Sequence, residues 1–361
     1  MNLGVRAGWR THGSLTVAAV LACASSGCLG LHTGPIPGEP EDATFASVEG
    51  ARIRYVDEGE GDAVVMVHGY ASSLDNWSSV RPAVVEAGHR VLALDLKGFG
   101  WSDRPEGDYS VRAQARVVLA LMDERGIERA SFVAHSYGSS VVLQIALMAP
   151  ERVSRIALFD AFVYPDQRNT FLQWAEADGI GEALYGLFYD QRPEERMALA
   201  FFDPRALTQE FVDRTERGLE RPGTAEAALR TARGMHFEHE RYRDIDVPVL
   251  LLWGREDRVT PIGYGERLEN ELPNARLRVY PRCGHFPMIE ALNPSRRDLV
   301  AFLGEATPEV SPPVEDREPE PQLRAPEVPS GAEPSRGWWE GGATQPAPDA
   351  HDEVEPTEVA P

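Results

Sequence analysis

The chain has 361 residues, enough for two domains at ~150 residues each or for one large α/β domain. Hydrophobic residues at 42% and aromatics at 8% fit a globular protein and exclude both wholesale disorder and a multi-span membrane protein. The 57 acidic against 36 basic side chains give a formal charge of -21, which repels a phosphate backbone and argues against a nucleic-acid partner.

At the start of the chain, Met1 to His12 carries Arg6 and Arg10 without an acid, and Ser14 to Ala24 is apolar or small. Residues 1–28 therefore read as a secretory signal, since an apolar stretch of about 11 residues is too short for the ~20 that cross hydrocarbon. Its end, Ser25-Ser26-Gly27-Cys28, resembles a bacterial lipoprotein signal, in which the cysteine is lipidated; Val20-Leu21-Ala22-Cys23 is a second candidate. Cys28 is favoured for the longer apolar stretch it leaves, whereas Cys23 has the better aliphatic residue three positions before it. The resemblance implies an exported protein attached to a membrane of the cell envelope through its N-terminal lipid, with a periplasmic or secreted product as the alternative. Residues 29–43, with Pro35, Pro37 and Pro40, read as an extended tether. Three cysteines make no disulfide framework, and Cys23 and Cys28 have no further ligand nearby that would suggest a metal site.

From residue 44 to 304 short apolar runs alternate with helical patterns, which predicts a mostly parallel sheet with helices on both faces. The strands are read at Ala51–Val56, Ala63–Val67, Arg90–Leu94, Ala130–Val133, Arg155–Phe159, Val249–Trp253 and Arg276–Tyr280, with helices at Val111–Arg125, Gly138–Met148, Gly263–Leu272 and Ser295–Leu303. Between about 164 and 242 the alternation stops, and aromatic, helix-compatible segments broken by Pro193, Pro204 and Pro222 predict a helical lid. Residues 305–361 form an acidic, proline-rich tail: from Thr307 onward 13 acids face three arginines among 12 prolines, a composition that buries too little apolar surface to offset chain entropy and reads as disordered.

The chemistry centres on Ala134-His135-Ser136-Tyr137-Gly138, set between an apolar strand and a helix. A strand, tight turn and helix put Ser136 on a strained elbow at the carboxyl edge of the sheet, and the close backbones require small flanking residues such as Ala134 and Gly138. A hydroxyl needs a base to become nucleophilic, and that base needs an acid to hold its tautomer. Of nine histidines, His285 in Cys283-Gly284-His285-Phe286-Pro287 follows the last strand and is preferred as the base; His135 should point away from Ser136. Asp257 in the loop after Trp253 is the preferred acid, and Asp160, after an earlier strand, is its rival, with a turn cap as its structural reading. The backbone N–H groups of Tyr70, in His68-Gly69-Tyr70, and of Tyr137 would form an oxyanion hole. His68 and Asp95 read as structural residues.

These motifs in this order resemble the α/β-hydrolase superfamily, in particular its lid-bearing serine hydrolases, over about Phe45 to Leu303. The resemblance implies a catalytic triad of Ser136, Asp257 and His285, acyl transfer to water through an acyl-serine, and neither cofactor nor metal. Epoxide hydrolases and haloalkane dehalogenases of this fold use an aspartate nucleophile. Carbon–carbon bond hydrolases carry a Gly-Asn-Ser-x-Gly-Gly elbow, which Ala134 to Gly138 does not match. A small-molecule carboxylic ester is the expected substrate. The alternatives are a cofactor-free perhydrolase or a catalytically idle hydrolase fold serving as a binding module at the cell envelope.

Overall fold

Runs of Val, Leu, Ile and Ala build the middle of a single eight-stranded sheet. In the computed structural model, which describes residues 30–191 and 193–306, the strands are β1 (Thr44–Val48), β2 (Ala51–Glu58), β3 (Ala63–Val67), β4 (Arg90–Leu94), β5 (Ala130–His135), β6 (Val153–Phe159), β7 (Val249–Gly254) and β8 (Ala275–Tyr280). Their order is β1-β2-β4-β3-β5-β6-β7-β8, with β1–β2 and β2–β4 antiparallel and all later pairs parallel. The segment holding Cys23 and Cys28 and the tail from Thr307 onward lie outside the described residues.

The helices are α1 (Arg81–Glu86), α2 (Val111–Glu124), α3 (Gly138–Met148), α4 (Thr170–Trp174), α5 (Ile180–Phe188), α6 (Pro193–Ala200), α7 (Gln209–Leu219), α8 (Thr224–Arg233), α9 (Gly263–Glu271), α10 (Pro287–Glu290) and α11 (Leu292–Leu303). Successive strand residues point to opposite faces, and here both faces are covered, so the central strands are apolar at nearly every position. Val65, Val67, Leu92, Phe132, Leu158 and Leu251 join the core beneath α2, α3 and α9. Their neighbours Val64, Met66, Val91, Val133, Ala157 and Leu250 join the core beneath α1 and α11.

The seven strands and four helices read from the sequence all form; β3, β4 and α3 have the bounds read, and the ends of the others shift by at most three residues. Strand β1 and helix α1 were not read, because Thr44–Val48 and Arg81–Glu86 are five and six residues long with too little pattern to distinguish them from loop. Between β6 and β7 the chain leaves the sheet and forms α4 to α8, with no strand among the described residues of this insertion. Residues 30–43 lie against the domain: His32 and Arg104 exchange backbone hydrogen bonds of 3.1 and 2.7 Å, Gly34 donates to the Asp103 carboxylate at 3.0 Å, and Ile36 is buried. The prolines that suggest an extended course thus leave a segment extended enough to bridge to the loop after β4.

Candidate active site

Strand β5 ends at His135 and α3 begins at Gly138, so the turn between them has two residues in which to reverse from strand to helix. Ser136 takes the strain, with φ of 50°, a left-handed conformation that is costly for a residue with a Cβ. Its amide donates to the carbonyl of Phe159 on β6 at 2.9 Å, and its carbonyl accepts from Ser139 and Phe162. Gly138 has no substitute here: a Cβ on it would sit 2.5 Å from the carbonyl oxygens of both Val67 and His68. The same close approach puts Gly69 beside the elbow, where an added Cβ would lie 3.1 Å from the Ser136 Cβ. Tyr70 and Tyr137 line the cavity in front of Ser136. Tyr70 is held by hydroxyl contacts to the carbonyl of Ala228 at 2.8 Å and to Tyr185 at 2.9 Å, and its ring meets that of Tyr137 edge-on.

Asp257 and His285 come from the loops after β7 and β8, brought together because those strands are neighbours. Backbone crowding is extreme at this junction: a Cβ on Gly254 would fall 1.9 Å from the Gly284 carbonyl oxygen. The Asp257 Oδ2 lies 2.7 Å from His285 Nδ1 and accepts from the Thr260 hydroxyl at 2.6 Å, while Oδ1 accepts from the amides of Val259 and Thr260 at 2.7 and 3.1 Å. Burial alone would raise the carboxyl, but His285 and the bonds from Thr260 outweigh it and hold Asp257 below the usual carboxylate range. His285 donates from Nδ1 to a charged Asp257, which leaves Nε2 as the acceptor in neutral imidazole. His285 and Ser136 line one cavity, and no hydrogen bond joins them among the described residues.

Asp160, the rival acid, sits at the end of β6 with φ of 43° and no solvent exposure. Its Oδ1 accepts from the Gly254 amide at 2.8 Å, which makes it the support of the β7 loop. Burial, then the adjacent Asp257 charge, pushes its carboxyl well above the ordinary range, which favours the neutral form of Asp160 beside Asp257. A donor atom from each of His135, Asp160 and His285 falls within 4.8 Å of the others, but His285 Nδ1 is committed to Asp257 and both His135 nitrogens to the bonds given below.

The residues that sequence reasoning missed are Thr260, Asn76 and Glu290, and the manner in which His135 is used. His135 does turn from Ser136: its Nε2 lies 2.8 Å from the His285 carbonyl oxygen and its Nδ1 3.3 Å from the Asn76 amide nitrogen. Donation from Nε2 and acceptance at Nδ1 fit one neutral tautomer. Burial, then the neighbouring His285, lowers the His135 pKa to about 3, and burial lowers that of His68 as well. His68 is likewise satisfied as a neutral ring, accepting from the Leu96 amide at Nε2 and meeting the Gly69 carbonyl at Nδ1. Glu290 accepts from the amides of Gly284, Phe202 and Asp203, and the His285 amide donates to the Ala200 carbonyl at 2.7 Å, which fastens the end of α6 to the His285 loop.

These two histidines set a pH dependence of stability. Above their unfolded pKa of ~6.5 both states are neutral and the contribution is complete; below it the unfolded chain binds protons that the folded chain refuses. Stability is therefore lost as the pH falls from ~6.5 toward the folded values, by ~1.4 kcal/mol per pH unit for His135, with His68 acting in the same direction. Urea unfolding is expected to show a loss of at least about 1 kcal/mol between pH 7 and 5.5, where few carboxylates titrate, from His135 alone. Equal stability at the two pH values would contradict the neutral burial of His68 and His135.

In front of the site is a cavity of about 560 Å³. Ser136, Tyr70, Tyr137 and His285 line its floor, and Phe171, Leu172, Tyr189, Met197 and Phe211 of the insertion line it from the other side. This is a mostly apolar chamber with a serine hydroxyl and an imidazole at one end, a shape that fits a small molecule.

The sheet order, the elbow after β5 and the loops after β7 and β8 define a hydrolase of the α/β class. The chain belongs to the alpha/beta hydrolase fold family, whose model matches residues 62–292. It is 33% identical over 268 residues to a 2-hydroxy-6-oxononadienedioate/2-hydroxy-6-oxononatrienedioate hydrolase of Paraburkholderia phymatum, covering 70% of this chain and 91% of that one. Among solved structures it is similar to the meta-cleavage product hydrolase CumD, with a TM-score of 0.63 and 28% identity over 73% of this chain and 98% of that one. It also shares its fold with an esterase of Exiguobacterium antarcticum, with a TM-score of 0.63 and 21% identity over 73% of this chain and 99% of that one.

Proposed function

We propose that the protein is a serine hydrolase that cleaves a carboxylic ester through an acyl-serine intermediate. The observation that carries this reading is the Asp257–His285 pair at 2.7 Å, facing the cavity that also holds the strained Ser136. His285 Nε2 takes the Ser136 proton as Oγ attacks the ester carbonyl, and returns it to the leaving alkoxide when the C–O bond breaks. Water then adds to the acyl-serine with the same histidine as base, releasing the acid and restoring Ser136. Asp257 holds the imidazole tautomer and balances the imidazolium charge. The Tyr70 and Tyr137 N–H groups stabilise the oxyanion, and the insertion acts as the lid that selects the acyl and alcohol groups.

A second reading, carbon–carbon bond hydrolysis, is favoured by the likeness to meta-cleavage product hydrolases. Against it stands the elbow, where His135 occupies the place that the resemblance assigns to asparagine in that branch, and both of its ring nitrogens are engaged, one by the Asn76 amide and one by the His285 carbonyl. A panel of p-nitrophenyl esters of graded acyl length, run beside a vinylogous 1,5-diketone acid, tests the choice. Ester turnover with an optimum in acyl length is expected. Turnover of the diketone acid with esters untouched would overturn the ester reading in favour of the second.

A further inference from the structure

A cluster of arginines beside the cavity lacks a counter-ion. Among the described residues, Arg214 on α7 and Arg221 just beyond it are half-buried, and neither guanidinium has an ion pair or a hydrogen bond. They are held instead by ring faces: Arg221 lies 3.4 Å above Trp101 and Arg214 5.5 Å from the Phe211 centroid. The Arg221 Nε is fully buried with no acceptor, the kind of orphaned donor that folded proteins rarely leave. Burial lowers the Arg221 pKa to about 10, opposed by Asp95, so the group is charged at neutral pH.

The two arginines line a second, smaller cavity of about 40 Å³, room for a water-sized polar group and too little for an acyl chain. Ala71, Ser72, Phe211, Thr215 and Leu219 line this cavity and the large one alike, so the two are adjacent. The nearby acids are already engaged. Asp75 accepts two bonds from Arg54 at 3.3 Å, and Asp95 accepts from the amides of Leu74 and Trp101 with Arg54 at 3.6 Å. Arg104 adds a further buried positive charge, satisfied by the carbonyls of Gly100 and Ser102 and by the Thr224 hydroxyl. In the lining of the small cavity Arg214 and Arg221 meet one acid, Asp75, which Arg54 already holds, so a surplus of positive charge faces the cavity.

We propose that this cavity is a carboxylate subsite and that the ester hydrolysed at Ser136 carries a free carboxylate, as in a half-ester of a dicarboxylic acid. The inference rests on the ester reading above and narrows it to a substrate class. A planar, partly desolvated guanidinium with an unused Nε–H matches a carboxylate oxygen in charge and geometry, and the apolar chamber holds the chain between the two functional groups.

The test compares mono-p-nitrophenyl esters of straight-chain dicarboxylic acids with the same compounds methylated at the free carboxyl. The purified enzyme is expected to favour the acid form by about tenfold in kcat/KM at one chain length, mainly through KM, and the preference should weaken with salt. In Arg221→Gln and in Arg214→Gln the ratio of the two rates should fall toward one, and Arg221→Lys should keep part of it. Poor folding lowers both rates and leaves the ratio unchanged, so the ratio reports the subsite. Equal rates for acid and methyl forms at every chain length, or a preference that survives the Arg214→Gln, Arg221→Gln double variant, would overturn the proposal. Saturable modulation of methyl-ester turnover by free glutarate, lost in Arg221→Gln and without a half-ester preference, would make this an effector site and equally overturn it. If neither form is hydrolysed, the ester reading itself fails; hydrolysis of both without preference removes the subsite alone.

Discussion

Ser136→Ala is expected to abolish ester hydrolysis, lowering kcat by at least ~10⁴-fold, and to abolish stoichiometric labelling by a fluorophosphonate. The size follows from the chemistry, because among the described residues no other hydroxyl stands on a strained turn within the cavity that His285 lines. The fold should survive, since the hydroxyl makes no hydrogen bond among the described residues and the backbone bonds to Phe159, Ser139 and Phe162 are untouched by the change. Covalent labelling that persists in the alanine variant would place the nucleophile elsewhere.

The second large effect separates two carboxyl groups. Asp257→Asn should cost ~10³–10⁴-fold in kcat, because an amide at that position offers no charge to the imidazolium and permits the wrong tautomer. Asp160→Asn should stay within about tenfold of the parent. Burial beside Asp257 pushes its carboxyl up toward the neutral form, and an asparagine oxygen still accepts from the Gly254 amide that Asp160 binds at 2.8 Å. Side-by-side kinetics of the two variants, with melting curves as controls for folding, decide the matter. A severe loss in Asp160→Asn with a mild one in Asp257→Asn would reverse the roles.

What was legible in the sequence was what is local. The apolar runs of β3 and β4 end at the residues read for them, because a strand buried on both faces is apolar throughout and its ends are marked by polar residues. Ser136 was legible because strand, elbow and helix occupy consecutive residues. Asp257 was preferred to Asp160 from the loop it occupies, and the structure puts it 2.7 Å from His285. Thr260 escaped notice although it lies three residues from Asp257, since a threonine in a turn gives no sign of which oxygen it will bind. Asn76, Glu290 and the two unpaired arginines depend on contacts between distant segments, which no local pattern reveals.

The bond from the His285 amide to the Ala200 carbonyl bears on how this domain can be rebuilt. An insertion between two strands looks like a cassette, exchangeable among relatives to import a new specificity. Here the end of α6 is part of the scaffold that sets the position of His285, reinforced by Glu290, which ties Phe202 and Asp203 to Gly284. The exchangeable unit is therefore discontinuous: residues from the insertion and the stretch from Gly284 to Glu290 must travel together. A graft that moves the helices alone leaves the His285 amide and the Glu290 carboxylate answering to a surface that no longer fits, and the imidazole drifts with them.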